Sequence, residues 1–369
     1  MALECRKLVF GLFIVAGIGI SWVGSTQTSK STYKPGFNGS FFIVWFSTCW
    51  MITCFPLYLL ITSLCNRQSP SKALEHCLEI INSKRFLSIA TVKGMGIRIA
   101  PFCAIWVATN YVYVKALGIK DFPPTDVTAL FSSAPAFVFI LSRIILKERV
   151  TVLKICAVVM AISGVVLIQY AEGFGSASLK GSFLSIGAAI GAALYKTLFK
   201  FCVKDASLGQ VAFFLSGLGF LNAVFLWFIF LILNYTGAEA ISWSHVPWTY
   251  LCSSSALSLL FNFFIAFGIA YTYPLFISFG TVLGIPLNAL ADWIFRHIVF
   301  SWVKVEGSIF IILGFVILLM PDKQSDYVDE GLKVMICVNK CKNKSSGIHR
   351  YDVNKDVDSE SEFTDDKSS

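Results

Sequence analysis

Charge is scarce in this chain. Only 14% of its 369 residues are Asp, Glu, Lys or Arg, against about 25% in a soluble domain. Histidine is scarcer still, and His76, His245, His297 and His349 lie too far apart for ligand spacing. No nucleophile, base and orienting group can be grouped by spacing, so the chain is read as no enzyme, with no metal and no cofactor. No Gly-x-x-x-x-Gly-Lys-Ser/Thr run occurs, which argues against an ATP-driven pump. A channel's repeated filter segments are missing too. The apolar stretches, such as Phe220 to Leu233, do not alternate with polar residues, which excludes a spanning β-barrel. The net charge is +8, yet the basic residues form no stripe, so nucleic acid is not a partner. The eleven cysteines form no disulfide frame. Cys49, Cys54, Cys103 and Cys156 sit singly in apolar runs as small hydrophobes. Cys337 and Cys341 with His349 make only a weak metal pattern.

What the chain has in quantity is long apolar runs. Apolar residues make up 56% of the sequence and mean hydropathy is +0.71. About 20 apolar residues at ~1.5 Å each cross a ~30 Å hydrocarbon core, and a helix satisfies its own backbone groups inside lipid. The fold class is therefore all-α, a polytopic membrane protein of ten transmembrane helices. Spans are predicted at roughly 8–25, 41–65, 96–117, 124–146, 151–171, 179–199, 208–234, 249–272, 274–298 and 302–320. The first run follows Arg6 and Lys7 and is read as a retained span rather than a cleaved signal peptide. A hydrophilic loop covers 66–95, with Leu74, Leu78 and Ile81 on one helical face suited to the membrane surface. Residues 321–369 read as a disordered acidic tail.

Basic residues in short loops set orientation. Arg67, Lys72, Lys84, Arg85, Lys93, Lys147, Arg149, Lys154, Lys200 and Lys204 fall on one side, and Lys30, Lys34, Lys120, Lys180 and Lys304 on the other. This bias predicts both termini in the cytosol, in the plasma membrane or the Golgi. The glycosylation sequons at Asn38 and Asn234 then both fall on the outer or lumenal side.

The chain also contains itself twice. Asn110 matches Asn262, Pro123 matches Pro274, Pro135 matches Pro286 and Gly164 matches Gly314, at nearly constant separation. Residues 1–171 and 172–320 are then five-span halves. An odd number of spans inserts the second copy upside down. Inverted repeats suit secondary transporters, whose halves rock about a central site. Helices interrupted by proline at matching positions line such sites, so spans 3, 4, 8 and 9 are the expected cavity wall.

Particular motifs narrow the reading. Leu146-Lys147-Glu148-Arg149, followed by a span with Gly164, resembles the close of a repeat in the drug/metabolite transporter superfamily. Ala193-Leu194-Tyr195-Lys196, Phe261-Asn262, Gly268-Ile269-Ala270, Thr272-Tyr273-Pro274 and Ile285-Pro286-Leu287-Asn288-Ala289 resemble subfamily F of solute carrier family 35, in particular its third and fourth members. The resemblance covers about residues 95–320. It implies two inverted five-helix halves and thiamine, a permanent cation, as the leading substrate. Departures exist: the position matching Glu148 in the second half is Ile298. The Phe-Tyr-Asn-Asn and Gly-Ala-Leu-Asn-Lys runs of nucleotide-sugar carriers are absent. A nucleotide sugar or another organic anion is the alternative substrate.

Eight residues are expected at the substrate site: Asn110, Tyr111, Tyr195, Lys196, Asn262, Tyr273, Asn288 and Asp292. A carboxylate deep in a span is costly unless paired or hydrated, so Asp292 either attracts a cation or pairs with Arg296 one turn later. Asp126, in the first turn of a span, complements the helix N-terminus. The asparagines offer amides either to a polar substrate or to a neighbouring helix, and the tyrosines offer a ring face able to hold a cation. Lys196 either snorkels to the headgroups or faces inward, where it disfavours a cation and suits an anion. The partners expected are a small molecule and the lipid bilayer.

Overall fold

The computed structural model describes residues 2–66, 92–147, 151–173, 175–203, 207–239, 241–271, 280–281, 283–299, 301–318 and 320. Residues 67–91 of the expected loop 66–95, the tail 321–369, and Glu148, Tyr273 and Pro274 lie outside them, while Asn66 and residues 92–95 of that loop are helical. Among the described residues the protein is helical, with no sheet beyond the isolated bridges Lys34–Phe37 and Phe37–Ile241.

The helices are α1 (Ala2–Ser31), α2 (Ser40–Cys49), α3 (Cys54–Asn66), α4 (Val92–Leu117), α5 (Pro124–Phe131), α6 (Ala134–Ile145) and α7 (Val152–Glu172). They continue with α8 (Ser176–Val203), α9 (Leu208–Phe225), α10 (Trp227–Tyr235), α11 (Trp248–Tyr271), α12 (Gly284–Arg296) and α13 (Trp302–Leu318). Among the described residues, six stretches are long and apolar enough to cross a membrane: Ser40–Leu64, Pro124–Ile145, Val152–Ala171, Ala177–Cys202, Leu208–Phe225 and Trp248–Ile265. The lipid-type distribution of side chains agrees. Phe183 and Phe295 are 73% and 77% exposed, whereas Thr125, Asp126, Asn222 and Asn288 are fully buried. That reverses the sorting of a soluble core.

Local chemistry explains several boundaries. Pro123 is extended and Pro124 opens α5, where a missing N–H costs nothing. The Ser132 and Ser133 hydroxyls then donate back to the Thr128 and Leu130 carbonyls at 2.7 and 2.6 Å, and Pro135 restarts the chain as α6. The predicted fourth span is thus one rod with a break at mid-depth. The second span breaks similarly at a 3₁₀ turn, Trp50–Thr53. Ser207 and Gln210 form a capping box at the start of α9. Gly173, at φ +82°, ends α7 in a conformation that favours glycine.

Three close helix pairs organise the bundle: α7 with α13, α1 with α11, and α4 with α8. In the first, Gly164 and Gly307 face each other so closely that a Cβ on Gly307 would sit 2.8 Å from the Gly164 carbonyl. Small residues allow such backbone approach in lipid. Gly17 and Gly24 of α1 serve the same purpose under Phe264 and Leu257 of α11.

Candidate functional site

A cavity of about 480 Å³ lies inside the bundle, with walls from α1, α2, α4, α5, α6, α8, α9, α11, α12 and α13. Two groups of rings face it. Trp22 of α1 stacks on Phe131 and meets Phe261 and Tyr113, with centroids 4.7–5.8 Å apart. Tyr195 of α8 meets Trp106 at 5.3 Å and stacks on Phe199, which meets Phe214 at 5.1 Å. Ring pairs at such spacings hold one another in place, so the walls are stiff as well as apolar.

The polar lining is sparse and directed. Asn110 and Asn262 both line the cavity and behave alike. Each donates its amide nitrogen to the carbonyl four residues earlier in its own helix, Trp106 and Ser258, at 2.8 Å. What each offers the cavity is its amide oxygen. The Ser29 and Ser254 hydroxyls are 2.5 Å apart and tie α1 to α11. Lys196 also lines the cavity, and its side chain is accessible.

Hydrogen bonds lead away from this floor towards one end of the bundle. The Thr26 hydroxyl meets the Tyr113 hydroxyl at 3.2 Å, and Tyr113 in turn approaches Thr128. Asn288 donates to Thr128 at 3.0 Å, and Gln27 donates to the Asn288 amide oxygen at 3.0 Å. Gln27 also donates to Asp292 at 3.0 Å. Asp292 is the centre of the knot. One carboxylate oxygen accepts from Gln27 and from Arg296 at 2.9 Å; the other accepts from the Thr125 backbone at 2.9 Å and from the Thr125 hydroxyl. Arg296 donates to the side chain of Gln27 as well. Beside the knot, Lys304 of α13 donates to Asp126 of α5 at 2.9 Å, both side chains being buried. Lys30 donates to the carbonyls of Ile119 and Phe122 at the same end. Along α5–α6 and α13, network residues lie nearer this end and cavity residues further in, while on α1 the two sets interleave.

Of the eight residues expected at the site, the structure brings Asn110, Tyr195, Lys196 and Asn262 together around the cavity. Tyr111 is elsewhere: its hydroxyl accepts from Lys115 at 2.7 Å and its ring packs on Phe41. Asn288 and Asp292 lie behind the cavity floor. Of the two roles open to Asp292, the structure shows the ion pair with Arg296. Tyr273 lies outside the described residues. Lys304, expected in an outer link, is instead in the first turn of α13 and buried against Asp126, a carboxylate that has no other cation among the described residues. The sequence reading missed Trp22, Thr26, Tyr113, Gln27 and Thr125. Thr26, Gln27 and Thr125 carry one signal, a polar side chain at the edge of or within an apolar run; Trp22 and Tyr113 carry none.

The comparisons place this architecture in a class of membrane solute transporters. A model of the EamA-like transporter family matches residues 9–170. Human solute carrier family 35 member F3 (Homo sapiens) is 39% identical over 323 residues, spanning 87% of this chain and 75% of that protein. Mouse solute carrier family 35 member F4 (Mus musculus) is 39% identical over 350 residues, spanning 94% of this chain and 70% of that protein. The chain belongs to solute carrier family 35, subfamily F, and is a multi-pass membrane protein.

Proposed function

We propose that this protein carries a small, ring-bearing organic solute across the membrane by alternating access, through ten spans in two inverted five-helix halves. The observation that carries the proposal is a cavity lined by residues of both 1–171 and 172–320 and linked, through Thr26, Tyr113 and Thr128, to a charged knot that ties the two together. Thr125, Asp126 and Gln27 come from the first half; Asp292, Arg296 and Lys304 come from the second. Breaking the knot would open that end while the cavity closes at the other. The packing supports the inverted repeat. If α1 corresponds to α8 and α4 to α11, the pairs α1–α11 and α8–α4 are equivalents. The matched asparagines, each tied to its own helix four residues back, add a second equivalence.

Thiamine is the substrate the family resemblance suggests. The ring walls around Trp22 and Tyr195 suit a flat heterocycle and support this reading on shape. Uptake of labelled thiamine by cells making the protein, beside unlabelled competitors, tests it. Saturable uptake competed by unlabelled thiamine is the result a thiamine substrate requires. Absence of uptake, with the protein present at its membrane, removes thiamine as substrate. Both termini are assigned to the cytosol, with the knot at the outer or lumenal end beside Asn38.

A further inference from the structure

Among the described residues the cavity has one charged lining residue, and it is a cation; no described Asp or Glu lines the space, and its other polar residues are neutral Ser, Thr, Asn, Tyr and Trp. Among the described residues Lys196 has no hydrogen-bond or ion-pair partner. Among the described residues the buried carboxylates are already committed elsewhere: Asp292 to Gln27, Arg296 and Thr125, Asp126 to Lys304, and Glu239 to the Phe41 N–H. An ammonium in a partly dry, ring-walled space is costly unless an opposite charge or water meets it. The helix to which it belongs also places Tyr195 and Phe199 beside it, rings whose faces accept a flat molecule.

We propose that Lys196 is the counter-charge for an anionic group of the transported solute, which is therefore a planar ring compound bearing a carboxylate or a phosphate monoester. This rests on the carrier reading above. The ring lies among Trp106, Tyr195 and Phe199, the anionic group meets the Lys196 Nζ, and the Asn110 and Asn262 amide oxygens accept from N–H or O–H groups on the ring's edge. Two amide oxygens and no further charged donor set the expected solute at a single anionic group. A permanent cation such as free thiamine fits the rings but meets like charge at Lys196. The charge preference of the pocket thus runs opposite to the one the family resemblance suggests.

The test uses the purified full-length protein in lipid nanodiscs, with thermal stabilisation and tryptophan quenching as readouts. Nicotinate, nicotinamide and 1-methylnicotinamide share one ring shape and differ in charge; phenyl phosphate separates phosphate from carboxylate. Nicotinate or phenyl phosphate is expected to act at tenfold lower concentration than nicotinamide, and 1-methylnicotinamide to be weaker still. Lys196→Met should abolish the preference for the anion over the neutral amide and melt no lower than the parent protein, since no partner is lost. Lys196→Arg should keep the preference, and Lys196→Gln should repeat the Met result. The proposal is overturned if the cation acts at lower concentration than the anion, if no anion acts at millimolar concentration, or if Lys196→Met leaves the preference intact. Proteoliposomes separate the two readings. Flux of 1-methylnicotinamide without flux of the anions keeps the carrier and overturns the anion assignment. Anion binding without flux of any probe supports the assignment and counts against the carrier.

Discussion

Removing one partner of the Asp126–Lys304 pair should cost far more than removing both. The charges are 2.9 Å apart, with side chains 0% and 10% exposed. At an effective dielectric of about 20 their gross attraction is about 6 kcal/mol. Burying the two charges opposes most of that, so the net worth of the pair is small, while an orphaned charge leaves its burial uncompensated at about 3–5 kcal/mol. Asp126 is poorly placed to tolerate the loss, because its second carboxylate oxygen already has no hydrogen-bond partner. Lys304→Met and Asp126→Asn should therefore each lower the melting temperature in detergent, on the order of 5–15 °C. The double variant Asp126→Asn with Lys304→Met should recover to within about 1 kcal/mol of the parent, since no buried charge is left unmatched. Fluorescence-detected size exclusion after heating reads this directly. A Lys304→Met protein as stable as the parent, or a double variant no better than the singles, refutes the reasoning.

Four further outcomes follow from the same structure. Gly307→Ala should destabilise by about 1–3 kcal/mol, through collision with the Gly164 carbonyl, whereas Gly187→Ala should be tolerated, its nearest neighbour being Val112 at 3.7 Å; thermal melts of the two compare them. Replacing Asn110 or Asn262 by Ala should cut uptake several-fold, on the order of 1 kcal/mol per lost acceptor, with surface level unchanged. Glu239 lies in the α10–α11 link, and burial pushes its carboxyl above the ordinary 4.5. The stability its protonation brings is thus present below about 4.5 and lost as pH rises through the raised value; Glu239→Gln should flatten that part of the melting curve against pH. Asn38 is exposed, while the Asn234 side-chain oxygen is held by the Ile241 N–H at 2.9 Å. Asn38→Gln should therefore speed gel migration of protein from glycosylating cells and Asn234→Gln should not.

The helical membrane character was legible in the sequence because apolar runs follow the thickness of lipid, and no tertiary detail is needed to read them. Four of the eight expected residues line the cavity, for a related reason. Asn110, Asn262, Tyr195 and Lys196 are polar or ring residues inside apolar runs, where few roles exist besides a cavity. Asp292 carried the same signal and met another fate, since Gln27 and Thr125 approach it from helices distant in sequence. The spacing to Arg296 showed one partner of three. Trp22 and Tyr113 were invisible because one more aromatic in a chain with 34 Phe and 9 Trp carries no mark of its place. The breaks at Ser132–Ser133 and Trp50–Thr53 follow from serine back-bonding and local geometry rather than from hydropathy.

Central to the account is a cavity that opens to one face of the membrane at a time. Ala192→Cys, beside Lys196 on the cavity wall, is the position to probe. It is introduced into a variant free of other cysteines and exposed to a membrane-impermeant maleimide from each face in turn. Labelling from one face only, falling when a transported solute is added, is the predicted result. Simultaneous labelling from both faces, or none from either, contradicts alternating access through this cavity.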